Sequence, residues 1–477
     1  MKVAALPGID IRGLAYDSRQ VKPGDVFIAL KGLEAAGADF AADAARRGAV
    51  AVVADRPADP AATVPWFVVP DARAAMASLA AEFYGHPSRL MHVVGITGTN
   101  GKTTTAYLLR AVFESAGKKC GLLGTVTYSI GNQEQPASRT TPEAPDVQRM
   151  FRQMVDAGCG ACVMEVSSHA LALSRVDGTN FACAVFTNLT RDHLDYHGDM
   201  ESYFTAKRRL FEMLPPGAPG VINVDDPRGE ILRKSVPTAI TYAINKPADV
   251  TPGPLALTFA GLEFDARTAK GDVHVRSKLV GRPNVSNILA TIAVATALDI
   301  PTPAIERGLQ NLSGVPGRFE VVSGSKDDIT VVIDYAHTDD ALKNLLETAR
   351  PLAPRRVITV FGCGGDRDRT KRPLMGAVAA RLSDVVVITS DNPRGEDPLR
   401  IIEEIKRGIP PASDRGSSAT VTIVDRTEAI QFAIKKAEPG DLVLLVGKGH
   451  EKTQMIRGKE LPFDESAIAR EALERRR

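Results

Sequence analysis

One segment, Thr97-Gly98-Thr99-Asn100-Gly101-Lys102-Thr103-Thr104, restricts what this chain can fold into more than any other. An apolar run, Val93-Val94-Gly95-Ile96, precedes it and reads as a buried strand. Ala106-Tyr107-Leu108-Leu109 follows and reads as the start of a helix. Strand, Gly-Lys-Thr loop and helix together cradle phosphate. Backbone N–H groups and the helix N-terminus face the anion, Lys102 adds charge, and the Thr103 hydroxyl can ligate Mg²⁺. The general pattern has a glycine where this chain has Ile96, so the motif is incomplete.

The remaining composition sets bounds. A chain of 477 residues implies about three domains. Its 44% hydrophobic content supplies ordinary cores, and a net charge of +2 gives no pull toward nucleic acid. No apolar run reaches the roughly 18 residues of a membrane span, and the first residues lack a basic-then-apolar leader pattern. Five cysteines, odd in number and sparse, point to a reducing compartment. Cys159-Gly160-Ala161-Cys162 fits C-x-x-C, but it follows a helix expected over Val147–Ala157 and enters a strand expected over Ala161–Val166. A redox pair would instead open a helix, so the segment reads as a small-residue turn with buried thiols.

Turn signals divide the chain into residues 1–90, 91–315 and 316–477. Gly85-His86-Pro87-Ser88 and Gly314-Val315-Pro316-Gly317 mark the joints. The first unit is a small α/β domain, with strands at Val26–Leu30 and Ala49–Ala54 and a helix near Asp39–Arg47. The second carries the phosphate loop among alternating strands and helices. The third has strands expected at Thr330–Asp334, Val357–Phe361, Val385–Thr389 and Leu442–Val446, the pattern of a doubly wound, Rossmann-like, mostly parallel sheet.

Further elements gather around the loop. The strand Ala161–Val166 carries Glu165 at its C-terminal end, where a carboxylate can hold Mg²⁺. A strand at Ala182–Thr187 leads into Asn188-Leu189-Thr190-Arg191-Asp192-His193-Leu194-Asp195-Tyr196-His197-Gly198, whose two histidines and two aspartates suit metal or phosphate work and equally a polar loop. On a helix over Glu201–Phe211, Lys207 shares its face with Tyr203, Phe204, Leu210 and Phe211. Such a lysine either snorkels to water or is partly buried with a depressed pKa. A neutral amine could take up CO₂ as a carbamate near Mg²⁺.

These motifs, together with Gly281-Arg282-Pro283-Asn284, Pro316-Gly317-Arg318-Phe319-Glu320 and Asp334-Tyr335-Ala336-His337, resemble the Mur ligases over essentially the whole chain. The family joins amino acids to the peptidoglycan precursor in the bacterial cytoplasm, serving cell-wall synthesis, cell shape and division. Asp391-Asn392-Pro393-Arg394 and Gly447-Lys448-Gly449-His450-Glu451 resemble the branch that adds meso-diaminopimelate to the UDP-muramoyl dipeptide. The resemblance implies an ATP-dependent amide ligase acting through an acyl phosphate. Gly98, Thr99, Asn100, Gly101, Lys102, Thr103 and Thr104 would bind ATP, joined by Asn284, Arg318 and Asp334. Lys102, Lys207, Glu165 and His193 would be catalytic, and Thr103, Glu165, His193 and a CO₂-derived carbamate on Lys207 would hold Mg²⁺. Ser18, Leu33, Glu34 and Ala35 would meet the UDP end of the precursor, and Thr140, Thr141, Ser167 and Arg175 its sugar and peptide. Arg367, Asp391, Asn392, Pro393, Arg394, Gly447 and Glu451 would hold diaminopimelate. The partners implied are small molecules alone, with no nucleic acid and no membrane insertion, acting on a cytoplasmic monomer.

Two positions depart from the family pattern. Asp339 stands where proline is usual, and Leu173 replaces a polar residue of some relatives. Three alternatives stand beside the main reading. A P-loop GTPase switch has support from Asp195–Gly198 and from Asn245-Lys246-Pro247-Ala248-Asp249, which has one residue too many. A folylpolyglutamate synthase-type ligase would lack the first domain and the Asp391–Arg394 motif. A lysine-adding ligase would gain nothing from Arg394, because lysine has no second carboxylate.

Overall fold

The computed structural model describes residues 8–32, 36–58, 62–353, 355–410 and 418–477. Three sheets in chain order organise the molecule. The first has four parallel strands, Gly13–Ala15, Asp25–Ala29, Ala51–Ala54 and Trp66–Val68, paired in sequence order. Val26, Ile28, Ala51 and Val53 pack one face against the helix Ala72–Phe83, whose N-cap Asp71 accepts from the N–H groups of Arg73 and Ala74.

The second sheet runs Ala239–Tyr242, Gly220–Asn223, Cys183–Phe186, His92–Thr97, Ala161–Glu165, Cys120–Leu123, Thr127–Ile130 and Gln133–Pro136. Its first six strands are parallel, and the last two turn back antiparallel. The phosphate-loop strand lies inside the sheet, with Ile96 opposite Glu165 and Thr97 opposite Phe186. Three strand ends therefore meet at one edge, as a parallel sheet with crossovers on both sides requires. Both faces are covered. The helices Lys102–Ser115 and Arg282–Ala297 seal one, and Ala144–Asp156 with Met200–Glu212 seal the other.

The third parallel sheet orders Thr330–Asp334, Leu442–Val446, Val357–Phe361, Val385–Ile388 and Ala419–Thr422, with Glu320–Val321 antiparallel at one edge. This is the doubly wound arrangement expected from the sequence. Among the described residues, no helix is long and apolar enough to cross a membrane.

Local expectations need correction at several points. The helix after the phosphate loop begins at Lys102, not near Ala106. Gly101 sits at φ +88°, a conformation open to glycine, and turns the chain straight into the helix despite three successive threonines. The helix expected near Asp39–Arg47 is shorter, Ala41–Arg46, after a 3₁₀ turn Gly37–Phe40. An antiparallel arm, Gly261–Thr268 against Gly271–Ser277, lies beyond the Pro-rich stretch. Its alternation of buried Leu262, Phe264 and Ala266 with exposed residues is the period-two signal of a one-face-buried hairpin.

Candidate active site

At the phosphate-loop edge, two lysines share one acceptor. Lys102 Nζ donates to Gly98 O at 2.9 Å and Thr99 O at 2.7 Å, and Lys207 Nζ donates to the same Gly98 O at 2.8 Å. Lys207 is only 2% exposed. The same Nζ stands over the face of Tyr203, 4.5 Å from the ring centroid. Burial, reinforced by Lys102, holds the Lys207 pKa well below the ordinary lysine value. Burial also lowers Lys102. The snorkelling alternative for Lys207 is thereby excluded. The apolar stripe anticipated around it is real, with Tyr203, Phe204, Leu210 and Phe211 all buried.

Glu165 stands at its strand end with both oxygens held: Oε1 accepts from Thr125 N at 2.8 Å and Oε2 from Thr125 Oγ1 at 3.0 Å. Each oxygen keeps a free lone pair, so a cation can still bind. His193 occupies a left-handed conformation, φ +53°. Burial, together with His169, Lys102 and Lys207, pushes its pKa down to about 3, so the ring is neutral at physiological pH and able to donate a lone pair. Among the described residues, no three His, Cys, Asp or Glu side chains converge into a ready-made metal cage. Thr103, Glu165 and His193 suit Mg²⁺ in type, and an oxygen pair added to Lys207 would enlarge the set.

The predicted substrate-facing residues of the middle domain do gather. Thr141 Oγ1 donates to Glu165 O at 2.9 Å and accepts from Ser167 N at 3.1 Å. Thr140 and Thr125 hydroxyls lie 3.1 Å apart. Arg175 donates to Thr141 O at 3.2 Å and pairs with buried Glu143 at 3.0 Å, while its Nε is buried with no partner. Arg73 of the first sheet's helix reaches the same Glu143 at 3.2 Å, and Tyr16 Oη donates to Asp146 at 2.6 Å. The first domain thus docks beside this group. Ser18 is buried within the first domain. Leu33, Glu34 and Ala35 lie outside the described residues.

The third sheet meets the phosphate loop directly. Arg318 Nη2 donates to Thr103 Oγ1 at 3.3 Å, Asn100 Nδ2 to Asp340 at 3.0 Å, and Arg191 pairs with Asp368 at 2.9 Å. A cavity of about 430 Å³ beside Arg318 is lined by Phe259, Lys278, Val280 and Phe319. Asn284 donates to Val280 O at 2.8 Å on the wall of that cavity. Asp334 is committed to backbone, accepting from Phe319 N at 2.7 Å and Ala336 N at 2.8 Å. Asp339 opens the helix Asp339–Ala349 with Thr338 as N-cap, so the missing proline leaves the helix start intact. Leu173 is the C-cap of the short helix Ser168–Ala172.

A second cluster forms where the strands Val385–Ile388 and Leu442–Val446 end. Asn392 Nδ2 donates to Glu451 Oε2 at 2.8 Å, and Asp391 Oδ1 accepts from Asn392 N at 2.6 Å. Gly447, φ +115°, packs so closely that a Cβ would lie 2.6 Å from Asp391 Oδ2. Arg394, with Nη1 on Gly365 O at 2.8 Å, has its pKa lowered by burial and by Arg367 nearby. Arg367 is exposed, with Nη1 on Asp366 O at 2.9 Å. Two guanidinium groups thus stand near two carboxylates, a pattern complementary to a molecule carrying both charges.

Several contributors escaped the sequence reading. Thr125 lies just past the end of the strand Cys120–Leu123, beside the strand that ends in Glu165, and that placement was the available signal. Asn287, one turn after Asn284, donates to Asn284 Oδ1 at 3.0 Å and accepts from Thr105 Oγ1 at 3.4 Å. Tyr203 links to Thr99 through hydroxyls 3.2 Å apart. Cys159 and Cys162 are free and buried, and burial raises the Cys162 thiol pKa, so the pair is a packed turn.

Comparison with known proteins covers this whole arrangement. Residues 10–84 match the model described as "Mur ligase family, catalytic domain", 96–295 "Mur ligase middle domain" and 317–449 "Mur ligase, glutamate ligase domain". The UDP-N-acetylmuramoyl-L-alanyl-D-glutamate–2,6-diaminopimelate ligase of Solibacter usitatus is 49% identical over 467 residues, covering 97% of this chain and 94% of its own. Its counterpart from Geobacillus thermodenitrificans is 48% identical over 477 residues, covering 98% and 96%. A solved structure of a ligase with that same name superposes with a TM-score of 0.68 at 34% identity, covering 98% of this chain and 95% of its own.

Proposed function

This chain belongs to the Mur ligase family, and from that premise we propose that it is the ATP-dependent ligase that adds meso-2,6-diaminopimelate to UDP-N-acetylmuramoyl-L-alanyl-D-glutamate in peptidoglycan precursor synthesis. The observation that carries this reading is the junction of two chemistries. A phosphate cradle whose two lysines are held by the Gly98 carbonyl is met across the Arg318–Thr103 contact by a domain whose strand ends carry Arg394, Asp391, Asn392 and Glu451. A GTPase switch has no use for the second cluster. A lysine-adding ligase has no use for Arg394.

An amide does not form usefully from a carboxylate and an ammonium in water. In this reading the D-glutamyl γ-carboxylate of the precursor attacks the γ-phosphorus of ATP, forming an acyl phosphate and releasing ADP. The free amine of diaminopimelate then adds to the acyl carbon. The tetrahedral intermediate collapses with loss of inorganic phosphate and of the amine proton. Two anions meet in the first step, so the loop N–H groups and Lys102 serve to neutralise charge there. Lys102 would exchange its carbonyl partners, Gly98 O and Thr99 O, for phosphate. Mg²⁺, held by Thr103, Glu165, His193 and a carbamate on Lys207, supplies further charge neutralisation when bound. A buried lysine with a carbonyl and a ring face as its partners is suited to the neutral, CO₂-reactive form, which supports that carbamate.

The nucleoside falls to Asn284, Arg318 and Asp334 around the cavity beside Arg318. The precursor's sugar and peptide fall to Thr140, Thr141, Ser167 and Arg175, and its UDP end to Ser18 and the segment 33–35. The three units 1–90, 91–315 and 316–477 then serve precursor, ATP and amino acid in turn, acting as a monomer in the cytoplasm. Contact between the second and third units keeps water from the acyl phosphate. The test is ATP-dependent phosphate release with the UDP-muramoyl dipeptide and either meso-diaminopimelate or lysine. Robust turnover with diaminopimelate and little with lysine is expected. Equal use of both would overturn the substrate assignment and leave the ligase mechanism standing.

A further inference from the structure

Lys448 has no exposed surface although it sits between two members of the amino-acid cluster. Its ammonium spends all three protons there, donating to Asn392 Oδ1 at 2.9 Å, Glu451 Oε2 at 2.6 Å and Thr453 O at 2.5 Å. Gly447 at φ +115° and Gly449 at φ +54° bracket it. A Cβ on Gly449 would lie 2.6 Å from Tyr335 Cβ, and Gly447 N donates to Asp334 O at 2.9 Å. The loop is therefore pressed against the neighbouring strand end, and Lys448 runs inward beneath the cluster.

We infer that Lys448 is the positioning residue of the amino-acid site: it fixes which way the Asn392 amide faces and thereby sets the donor and acceptor pattern offered to the incoming amino acid. The inference rests on the proposed assignment of Asp391, Asn392, Arg394 and Glu451 to that site. Asn392 Oδ1 accepts from Lys448 and from Met455 N at 2.9 Å, while Nδ2 donates to Glu451 Oε2 at 2.8 Å. Turning the amide over would set its NH₂ against an ammonium and a backbone N–H, and its oxygen against a carboxylate. All three contacts would become repulsive, so one orientation survives. Among the described residues, that orientation leaves the second N–H of Asn392 and the Oε1 of the Glu451 it holds without a hydrogen bond. A donor next to an acidic acceptor matches a carboxylate and an ammonium borne on one carbon. Lys448 also neutralises the Glu451 oxygen that it holds, leaving the other to meet a cation.

Wild-type turnover with meso-diaminopimelate is measured first, and its absence overturns the underlying site assignment. Given that turnover, Lys448→Met keeps the bulk and removes the charge. The diaminopimelate KM should rise about ten- to a hundredfold, because a buried amide oxygen and a carboxylate oxygen each lose a donor. The KM values for ATP and the UDP precursor should stay within about twofold, and the preference for diaminopimelate over lysine should fall by a similar factor to the KM change. If Lys448→Met gives no cooperative melt, Lys448→Gln, which retains one neutral donor toward Asn392, is read in the same way. A diaminopimelate KM within about twofold of wild type, a parallel rise in all three KM values, or an unchanged preference over lysine would each overturn the role of Lys448 alone.

Discussion

The two charged edges of this molecule are built on opposite plans. At the phosphate loop, Lys102 and Lys207 converge on the carbonyl of Gly98, Lys102 also holding Thr99 O, and among the described residues neither meets an anion at hydrogen-bond range. At the third sheet, several cations are closed into networks around Arg394, which itself donates to the Gly365 carbonyl. Arg372, fully buried, pairs with Glu396 at 2.8 Å and Glu404 at 2.7 Å. Arg426 and Glu465, both fully buried, pair at 2.5 Å, and Lys448 binds Glu451. A buried amine without a counterion either gives up its charge, as Lys207 is placed to do, or keeps it for an arriving anion, as Lys102 is placed to do. Charge already paired is rigid, and it presents a fixed template. The first edge is therefore suited to chemistry on incoming phosphate and the second to recognition, so damage to the first should appear in kcat and damage to the second in KM.

Lys207 gives the largest expected break. Lys207→Ala should lower kcat by about a hundred- to a thousandfold or more while the melting transition persists. Formate or acetate should return part of the activity by supplying oxygens. Lys207→Arg should be as inactive as the alanine variant, since guanidinium stays protonated. Wild-type kcat in Lys207→Arg would remove the carbamate from the account.

Arg394→Ala comes next. Leaving a desolvated carboxylate without its partner costs about 2–5 kcal/mol, so the diaminopimelate KM should rise roughly thirty- to several-thousandfold. The ATP KM should hold, and a matching rise in it would erase the division between the two edges.

The two edges also differ in how far the sequence announces them. The phosphate loop and the strand carrying Glu165 are legible because a Gly-Lys-Thr turn and an apolar strand are local patterns, and the buried stripe around Lys207 follows from helical spacing. The doubly wound third domain is legible from its regular alternation of strands and helices. Thr125 is not, because its role arises when the strand Cys120–Leu123 pairs beside Ala161–Glu165, 40 positions away. Lys448 looks like an ordinary loop lysine until Thr453, Asn392 and Glu451 are folded around it. The early start of the helix at Lys102 follows from Gly101 at φ +88°, which turns the chain into the helix despite the weak helix propensity of threonine.

Smaller effects sharpen the comparison. Glu165→Gln keeps the acceptor for Thr125 N, lets its amide donate to the Thr125 hydroxyl in place of accepting from it, and loses the charge, so the Mg²⁺ concentration for half-maximal rate should rise about tenfold with the melt unchanged. An unchanged Mg²⁺ dependence would make Glu165 a structural residue. The Glu396 carboxyl is held down to about 2 by its hydrogen bonds from Arg372, against 4.5 unperturbed. Its folded pKa is the lower one, so the folded state binds fewer protons between these values. Its stabilisation is complete above about 4.5 and fades as pH falls toward about 2. Thermal melts at successive pH values should show a shallower acid loss in Glu396→Gln than in wild type, and identical slopes would mean the network contributes nothing measurable.

The sulfur atoms give the molecule a set of built-in clocks. Cys120, Cys159, Cys162 and Cys183 all lie in the middle domain and Cys363 in the third, and every one is buried and unbridged. Alkylating reagents can reach them only through transient opening, so labelling rates read out the breathing of two domains separately. Cys363 is the most informative of the five. It directly precedes the Gly364-Gly365 turn whose second carbonyl receives Arg394, so its modification half-life, with and without amino acid, times how often that grip lets go.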